Sequence, residues 1–103
     1  MSRADTLRAF IASKPQDPFP RYALAMEYKN QGQLAEAREQ FEVLMRDHAD
    51  YVATYLHAGN TCLALGDRSA ARAAFTRGIE VAAQRGDAHA RGELEGALGM
   101  LDG

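Results

Sequence analysis

Gly32, Ala37, Arg38 and Phe41 recur, after a shift of 34 positions, as Gly66, Ala71, Arg72 and Phe75. A period of that length constrains the fold more than any other feature of the chain. A unit of this size is one supersecondary motif, too small to bury its apolar face alone, and it becomes stable only against neighbours of the same kind. The flanking residues repeat in phase. Upstream of Gly32, residues Leu24, Ala25 and Tyr28 share one face of a helix running from Pro18 to Gln31. Asp17 is placed to cap that helix and Pro18 to open it, while Gly32 ends it by taking a left-handed conformation at little cost. Downstream, Leu34, Ala37, Phe41, Leu44 and Met45 form the apolar stripe of a second helix that reaches Asp47. In the next unit Asp50 is placed as a cap. Tyr55, Ala58, Gly59 and Cys62 face inward, Gly66 terminates, and Ala71, Phe75 and Ile79 return the stripe.

Small residues explain how the helices pair. Antiparallel helices joined by a short turn approach closely only where side chains are small. The pattern therefore sets Ala25 against Ala37 and Gly59 against Ala71, with Phe41 and Phe75 filling the space beside each crossing. At the N-terminus Ser2 and Asp5 form a capping box for a helix ending near Ser13. At the other end Gly86 breaks the chain, Asp87 caps, and Leu94, Ala97, Leu98 and Leu101 place a stripe on a last helix, the natural lid of the stack. Gly92, Gly96 and Gly99 lower that helix's propensity by up to about 1 kcal/mol each. The spacing of Gly92 and Gly96 also occurs in membrane helix pairs, but Glu93 and Glu95 argue against a lipid setting. The expectation is an all-α chain of about six helices in one domain over residues 1–103. It divides into an N-terminal helix (1–15), two repeats (18–51 and 52–85) and a C-terminal capping helix (87–101).

Charge narrows the functions. Lys and Arg number 12 against 14 Asp and Glu, so no basic excess is available to neutralise a phosphate backbone or an anionic membrane. Arg3, Asp5 and Arg8 interrupt the apolar run that a secretory signal needs, and no stretch approaches the roughly 18 apolar residues of a membrane span. Cys62, the lone cysteine, forms no internal disulfide, which fits a reducing compartment; a cytoplasmic protein is expected. His48, His57 and His89 form no pair at metal-ligand spacing. The phase of Cys62 makes it an inert core thiol rather than a nucleophile. Phosphate loops, a Ser-His-Asp order and paired inward carboxylates are missing from the sequence. Glu36, Glu39 and Glu42 read as a solvated face, with Glu42 and Arg46 paired at i, i+4 for a few tenths of a kcal/mol. No catalytic, cofactor-binding or metal-binding residues are expected, and the chain is not expected to be an enzyme.

The repeat resembles the tetratricopeptide repeat. The match is carried by Leu24, Ala25, Tyr28, Gly32, Ala37 and Phe41 in the first unit, and by Tyr55, Ala58, Gly59, Gly66, Ala71 and Phe75 in the second. It extends backwards through Leu7, Phe10 and Pro15. Arg21, Cys62, Ala49 and Ala83 depart from the family pattern at a large apolar position, at the second Tyr and at the two closing prolines. The resemblance implies antiparallel helix pairs stacked in a right-handed superhelix, with the first helix of each unit lining a concave groove that takes a partner peptide or helix. The matching groove positions are Phe19, Tyr22, Met26 and Lys29, then Leu56, His57, Asn60 and Leu63, with Asp87, Ala90 and Arg91 completing the wall.

Members that grip a C-terminal carboxylate use Lys, Asn and Arg at set positions. Here only Asn60 and Arg91 resemble that set, and Tyr22 and Met26 stand where the first Lys and Asn would be. An apolar or mixed peptide is therefore the expected ligand, with Tyr22, Met26 and Leu56 as pockets and Asn60 holding the peptide backbone. Two plainer readings stand beside this one: Phe19, Tyr22 and Leu56 as core, and Lys29 and His57 as solvated side chains. The resulting expectation is a cofactor-free protein-interaction module. The alternative is a homo-oligomeric scaffold, at least a weak homodimer, joined through the last helix.

Overall fold

The computed structural model describes residues 2–102, and among these there are six helices and no strand. They are α1 (Arg3–Ser13), α2 (Pro18–Asn30), α3 (Leu34–Asp47), α4 (Ala53–Ala64), α5 (Arg68–Arg85) and α6 (Ala88–Asp102). Each packs on the next, and α4 also touches α6, so the chain is a stack of antiparallel pairs measuring 43 × 29 × 19 Å.

The local signals explain where most helices start and stop. Ser2 Oγ accepts from the Asp5 N–H at 3.1 Å and Asp5 accepts from the Ser2 N–H at 3.3 Å, closing the expected capping box. Asp17 caps α2 through the Phe19 N–H, Asp67 caps α5 through Ala70, and Asp87 caps α6 through Ala90, each at 3.0 Å. Positive φ at Gly32, Gly66 and Gly86 lets the N–H of the residue after each glycine turn back onto the helix. Gln33 donates to Tyr28 O, Asp67 to Cys62 O and Asp87 to Ala82 O, at 2.8, 2.8 and 2.9 Å. The start of α4 departs from the expectation. Asp50 does not cap it; the residue before the helix is Val52, with helical φ and ψ and no side-chain cap. Tight backbone turns from Thr54 to Tyr51 O and from Tyr55 to Val52 O satisfy those donors instead. Asp50 is thereby free to reach Arg85 of α5 at 3.3 Å. The expected Glu42–Arg46 pair is also replaced: Arg38 lies 3.8 Å from Glu42, while Arg46 turns to Asp47 at 2.9 Å.

The core forms two joined clusters. Leu24, Ala25, Tyr28, Ala37, Phe41 and Leu44 hold the first, and Leu7 of α1 closes its end. Tyr55, Cys62, Ala71, Phe75, Leu94 and Leu101 hold the second, with Met45 packed against both. As expected of a lid, α6 buries Leu94 and Leu101 and packs Ala97 and Leu98 against α5 and α4. Arg72 pairs with Asp102, and Arg68 donates to the Leu101 carbonyl at 2.6 Å, fastening the end of α6.

Two glycines make room at the crossings of α5. A β-carbon at Gly59 would lie 2.2 Å from Phe75 Cε1, so the bare backbone there receives that ring. A second glycine, Gly78, was not anticipated: a β-carbon there would lie 2.5 Å from Tyr55 Cβ and 3.0 Å from Leu94. The first unit carries Arg21 and Leu44 where the second carries Tyr55 and Gly78. Arg21 leaves the core to meet Gln40 at 2.5 Å, whereas Tyr55 is fully buried and needs the space that Gly78 vacates. Gly78→Ala is expected to destabilise the protein by about 1–3 kcal/mol through overpacking, despite alanine's higher helix propensity. Gly92→Ala and Gly96→Ala, which meet nothing within 4 Å, should each stabilise by up to about 1 kcal/mol. Urea unfolding of the three variants separates the two effects; a Gly78→Ala protein as stable as the parent would refute the close-approach argument.

Candidate functional site: the groove lined by α2, α4 and α6

Helix α4 has two working faces. Ala58 and Cys62 point one way into the core. Leu56, His57, Asn60 and Leu63 point the other way, as the period of 3.6 residues requires. On that second face α4 meets α2 on one side and α6 on the other.

Against α2, the Lys29 ammonium lies 3.2 Å from His57 Nδ1. An ammonium has only donors, so Nδ1 accepts and the neutral imidazole carries its proton on Nε2. Tyr22 sits at the same junction, edge-on to His57 at 6.0 Å, to Tyr51 at 5.6 Å and to Phe41 at 6.5 Å between ring centroids. Tyr22 is therefore partly core, and Met26 packs beside it on the first cluster. Burial pushes the Tyr22 hydroxyl's pKa up. Phe19, on the first turn of α2, stays 59% exposed.

Against α6, α4 borders two clefts. The first, of about 340 Å³, sets Leu56 and His57 opposite Ala90, Glu93 and Leu94. The second, of about 310 Å³, sets Asn60 and Leu63 opposite Ala97 and Met100. His57 thus spans the junction: one ring edge faces Lys29 of α2, and the ring also lines the cleft toward α6. Tyr22, Lys29, Leu56, His57, Asn60, Leu63, Asp87 and Ala90 lie at this junction or line these clefts. Arg91 does not join them. It pairs with Glu95 at 3.6 Å and lines a separate recess with Ala82, Ala83 and Gly86 on the α5 side. The two residues that resembled parts of a carboxylate clamp, Asn60 and Arg91, are accordingly on different surfaces. Glu93 belongs to the groove although the sequence reading used it only to argue against a lipid setting. Its neighbours Gly92 and Gly96 drew attention to helix packing, and nothing in the spacing marked Glu93 as facing His57.

The electrostatics follow from burial. His57 is half-buried, and desolvation first, then the Lys29 charge, hold its pKa below the ordinary histidine value, with Glu93 pulling weakly the other way. Burial likewise pushes the Cys62 thiol up, keeping it protonated and a poor nucleophile. Among the described residues no three His, Cys, Asp or Glu side chains come together to hold a metal ion, and no helix is long and apolar enough to cross a membrane.

Comparison with known proteins agrees with the geometry. The family model described as Tetratricopeptide repeat matches residues 21–42 and 52–85. A tetratricopeptide repeat domain protein from Salinibacter ruber is similar in its solution NMR structure at 37% identity and a TM-score of 0.80, over 84% of this chain and 88% of that one. Its crystal structure is similar at 36% identity, over 84% and 96% of the two chains, with the same TM-score of 0.80. The solution structure of a Bordetella parapertussis protein matches at 25% identity and a TM-score of 0.82, over 99% of this chain and 89% of that one. No curated protein matches this sequence. The chain belongs to the tetratricopeptide repeat family, whose repeats are in general protein-interaction modules and typically non-catalytic.

A pH dependence follows from His57. Its folded-state pKa lies below the unfolded value of about 6.5, so below that pH the unfolded chain binds a proton that the folded chain resists. Stability is therefore fully present above the unfolded value and falls as pH drops toward the folded one. Urea midpoints between pH 8 and pH 5 should decline more in the parent than in His57→Gln; parallel declines would show that His57 is not desolvated.

Proposed function

We propose that the groove of α2, α4 and α6 binds a peptide or helix from another protein, without turnover and without a cofactor. The observation that carries this reading is the placement of His57, which joins Lys29 on one side to the Leu56–Glu93 cleft on the other and so makes three first helices into one continuous surface. The clefts present apolar floors at Leu56, Leu63 and Ala97 with polar groups at their rims, the pattern of a site that takes apolar side chains and fixes a backbone. Lys29 and the Nε2–H of His57 offer donors; Glu93 and Asp87 offer acceptors. A mixed apolar and polar segment fits this better than an isolated carboxylate does. In this reading the chain is a cytoplasmic adaptor of one domain, and the protonated, buried Cys62 supports a non-catalytic role.

Tyr22 packs on Phe41, so a charge at Tyr22 would test folding as much as binding. The experiment accordingly uses Leu56→Glu combined with Lys29→Glu. Affinity capture from the source organism's lysate, with mass spectrometry, should retain a partner on the parent protein. Purified, that partner should bind the folded double variant roughly tenfold more weakly or worse. A partner held equally by both proteins would place the working surface elsewhere.

The scaffold alternative requires α6 to leave the stack. Here α6 instead buries Leu94 and Leu101 against its own chain and is fastened through Arg68 and Arg72. Light scattering over a wide concentration range is expected to give the mass of a monomer; a mass rising with concentration, and abolished by Leu98→Glu, would restore the self-assembly reading.

A further inference from the structure

We infer that the chain carries a second docking site on the side of α4 opposite the groove, in the cleft between α3 and α5, and that it receives one bulky apolar side chain of a partner segment whose neighbouring residue is acidic. Ala58 and Cys62 of α4 form its floor, Met45 of α3 one wall, and Ala70, Ala73 and Ala74 of α5 the other.

The walls of this cleft are where the second repeat differs from the first. The positions one period earlier are Glu36, Glu39 and Gln40, three long polar side chains in place of three alanines. Gln40 is held by Arg21; Ala74 has no such partner because Tyr55, which replaces Arg21, is inside the core. Two helices that follow the same repeat thus present different walls. The alanines leave apolar space that a longer side chain would have closed.

Size and charge define the occupant. The cleft measures about 230 Å³. That exceeds the roughly 150 Å³ of an apolar cavity that admits benzene and falls below the roughly 300–1,000 Å³ of small-molecule sites. One aromatic or large aliphatic side chain fits; a cofactor does not. At the rim, Arg38 is committed to Asp67 at 2.9 Å and lies 3.8 Å from Glu42. Arg77, where the first repeat has Val43, lies over the Tyr55 ring at 5.9 Å and has no carboxylate partner among the described residues. The second repeat therefore both clears the wall and adds a cation at its edge. An acidic residue beside the inserted side chain would pair with Arg77 while the apolar group covers the alanines.

The test titrates acetylated, alanine-based helical peptides into the ¹⁵N-labelled full chain. One peptide carries Phe with Glu four residues on, and two controls change the Phe to Ala or the Glu to Lys. The Phe–Glu peptide should shift the amides of α3 and α5 around Met45, Ala70, Ala73 and Arg77, and leave those of Leu56 and His57 in place. Loss of the Phe should weaken binding roughly tenfold, and the change to Lys about threefold to fivefold. Ala70→Glu with Ala73→Glu, the first half-buried and the second exposed, restores two residue types of the first repeat and should abolish the shifts in a protein that remains folded. Arg77→Glu should reverse the preference between the Glu and Lys peptides. Absence of cleft shifts at millimolar peptide, shifts confined to the α4–α6 groove, or equal affinity for the Glu and Lys peptides would each overturn the proposal. The groove of the preceding section would be untouched by that failure, since its variants and reporter amides lie on the other face of α4.

Discussion

The approach of α4 to α5 sets the geometry of everything downstream of it. Two glycines make that approach possible, Gly59 beneath the Phe75 ring and Gly78 between Tyr55 and Leu94. Because Gly78 touches both α4 and α6, the spacing of the last three helices is fixed at one point on α5. The two clefts between α4 and α6 inherit their width from that spacing. A packed interior has little room to absorb an added methyl group, so an error there would displace Leu94, the residue through which the lid closes. The fully buried Tyr55 completes the arrangement by donating its hydroxyl to the Ala49 carbonyl in the loop before α4. That bond ties the loop before α4 to the buried ring.

The units are also fastened by charge in a repeating way. Arg38 on α3 reaches Asp67, the residue that caps α5, and Arg72 on α5 reaches Asp102 at the end of α6. The arginines are 34 positions apart, and each holds the unit that follows its own. Asp67 accepts from both the Ala70 N–H and the Arg38 side chain, which together keep its carboxyl below the usual carboxylate range. The recurrence of Arg38 as Arg72 in the sequence therefore has a physical cause distinct from that of Ala37 and Phe41. The alanine and the phenylalanine repeat because a crossing must be close and filled, the arginine because each unit needs a tie to the next.

Most of the fold was legible because its signals are local. Helix ends at Gly32, Gly66 and Gly86, caps at Ser2, Asp17 and Asp87, and the stripe on α6 all depend on residues within one or two turns of each other. Asp50 was misread because the cap preference competes with a tertiary partner: Arg85, distant in sequence, takes its carboxylate once tight backbone turns have satisfied the helix start. Gly78 was invisible for a related reason. A glycine inside a helical stripe looks like a loss of propensity until the residues facing it are known. The candidate groove could be named as a set of positions through the family resemblance, but its chemistry could not. That Lys29 and His57 touch depends on how α2 lies beside α4; that Glu93 lines the cleft with His57 and that Arg91 turns away depend on the rotation of α6 about its axis, which its stripe specifies only to within a residue or so.

The two faces of α4 have different relations to the repeat. The groove side uses positions that first helices share by register, so α2, α4 and α6 contribute to it in turn. The α3–α5 side depends on what distinguishes the second repeat from the first, three alanines and Arg77 in place of Glu36, Glu39, Gln40 and Val43. Because α4 supplies the floor of both, a segment docked on either face binds only the folded stack and stabilises it, by about 2.7 kcal/mol at a hundred times its dissociation constant. In a stack that folds as one cooperative unit, that gain is not confined to the occupied face. It raises the population competent to bind on the other face as well, and linkage makes the effect reciprocal. The size of this coupling is limited by how much of the protein is unfolded to begin with. A short stack whose lid contains three exposed glycines is the setting in which it is largest, and filling Gly92 and Gly96 with alanine would reduce it without touching either surface.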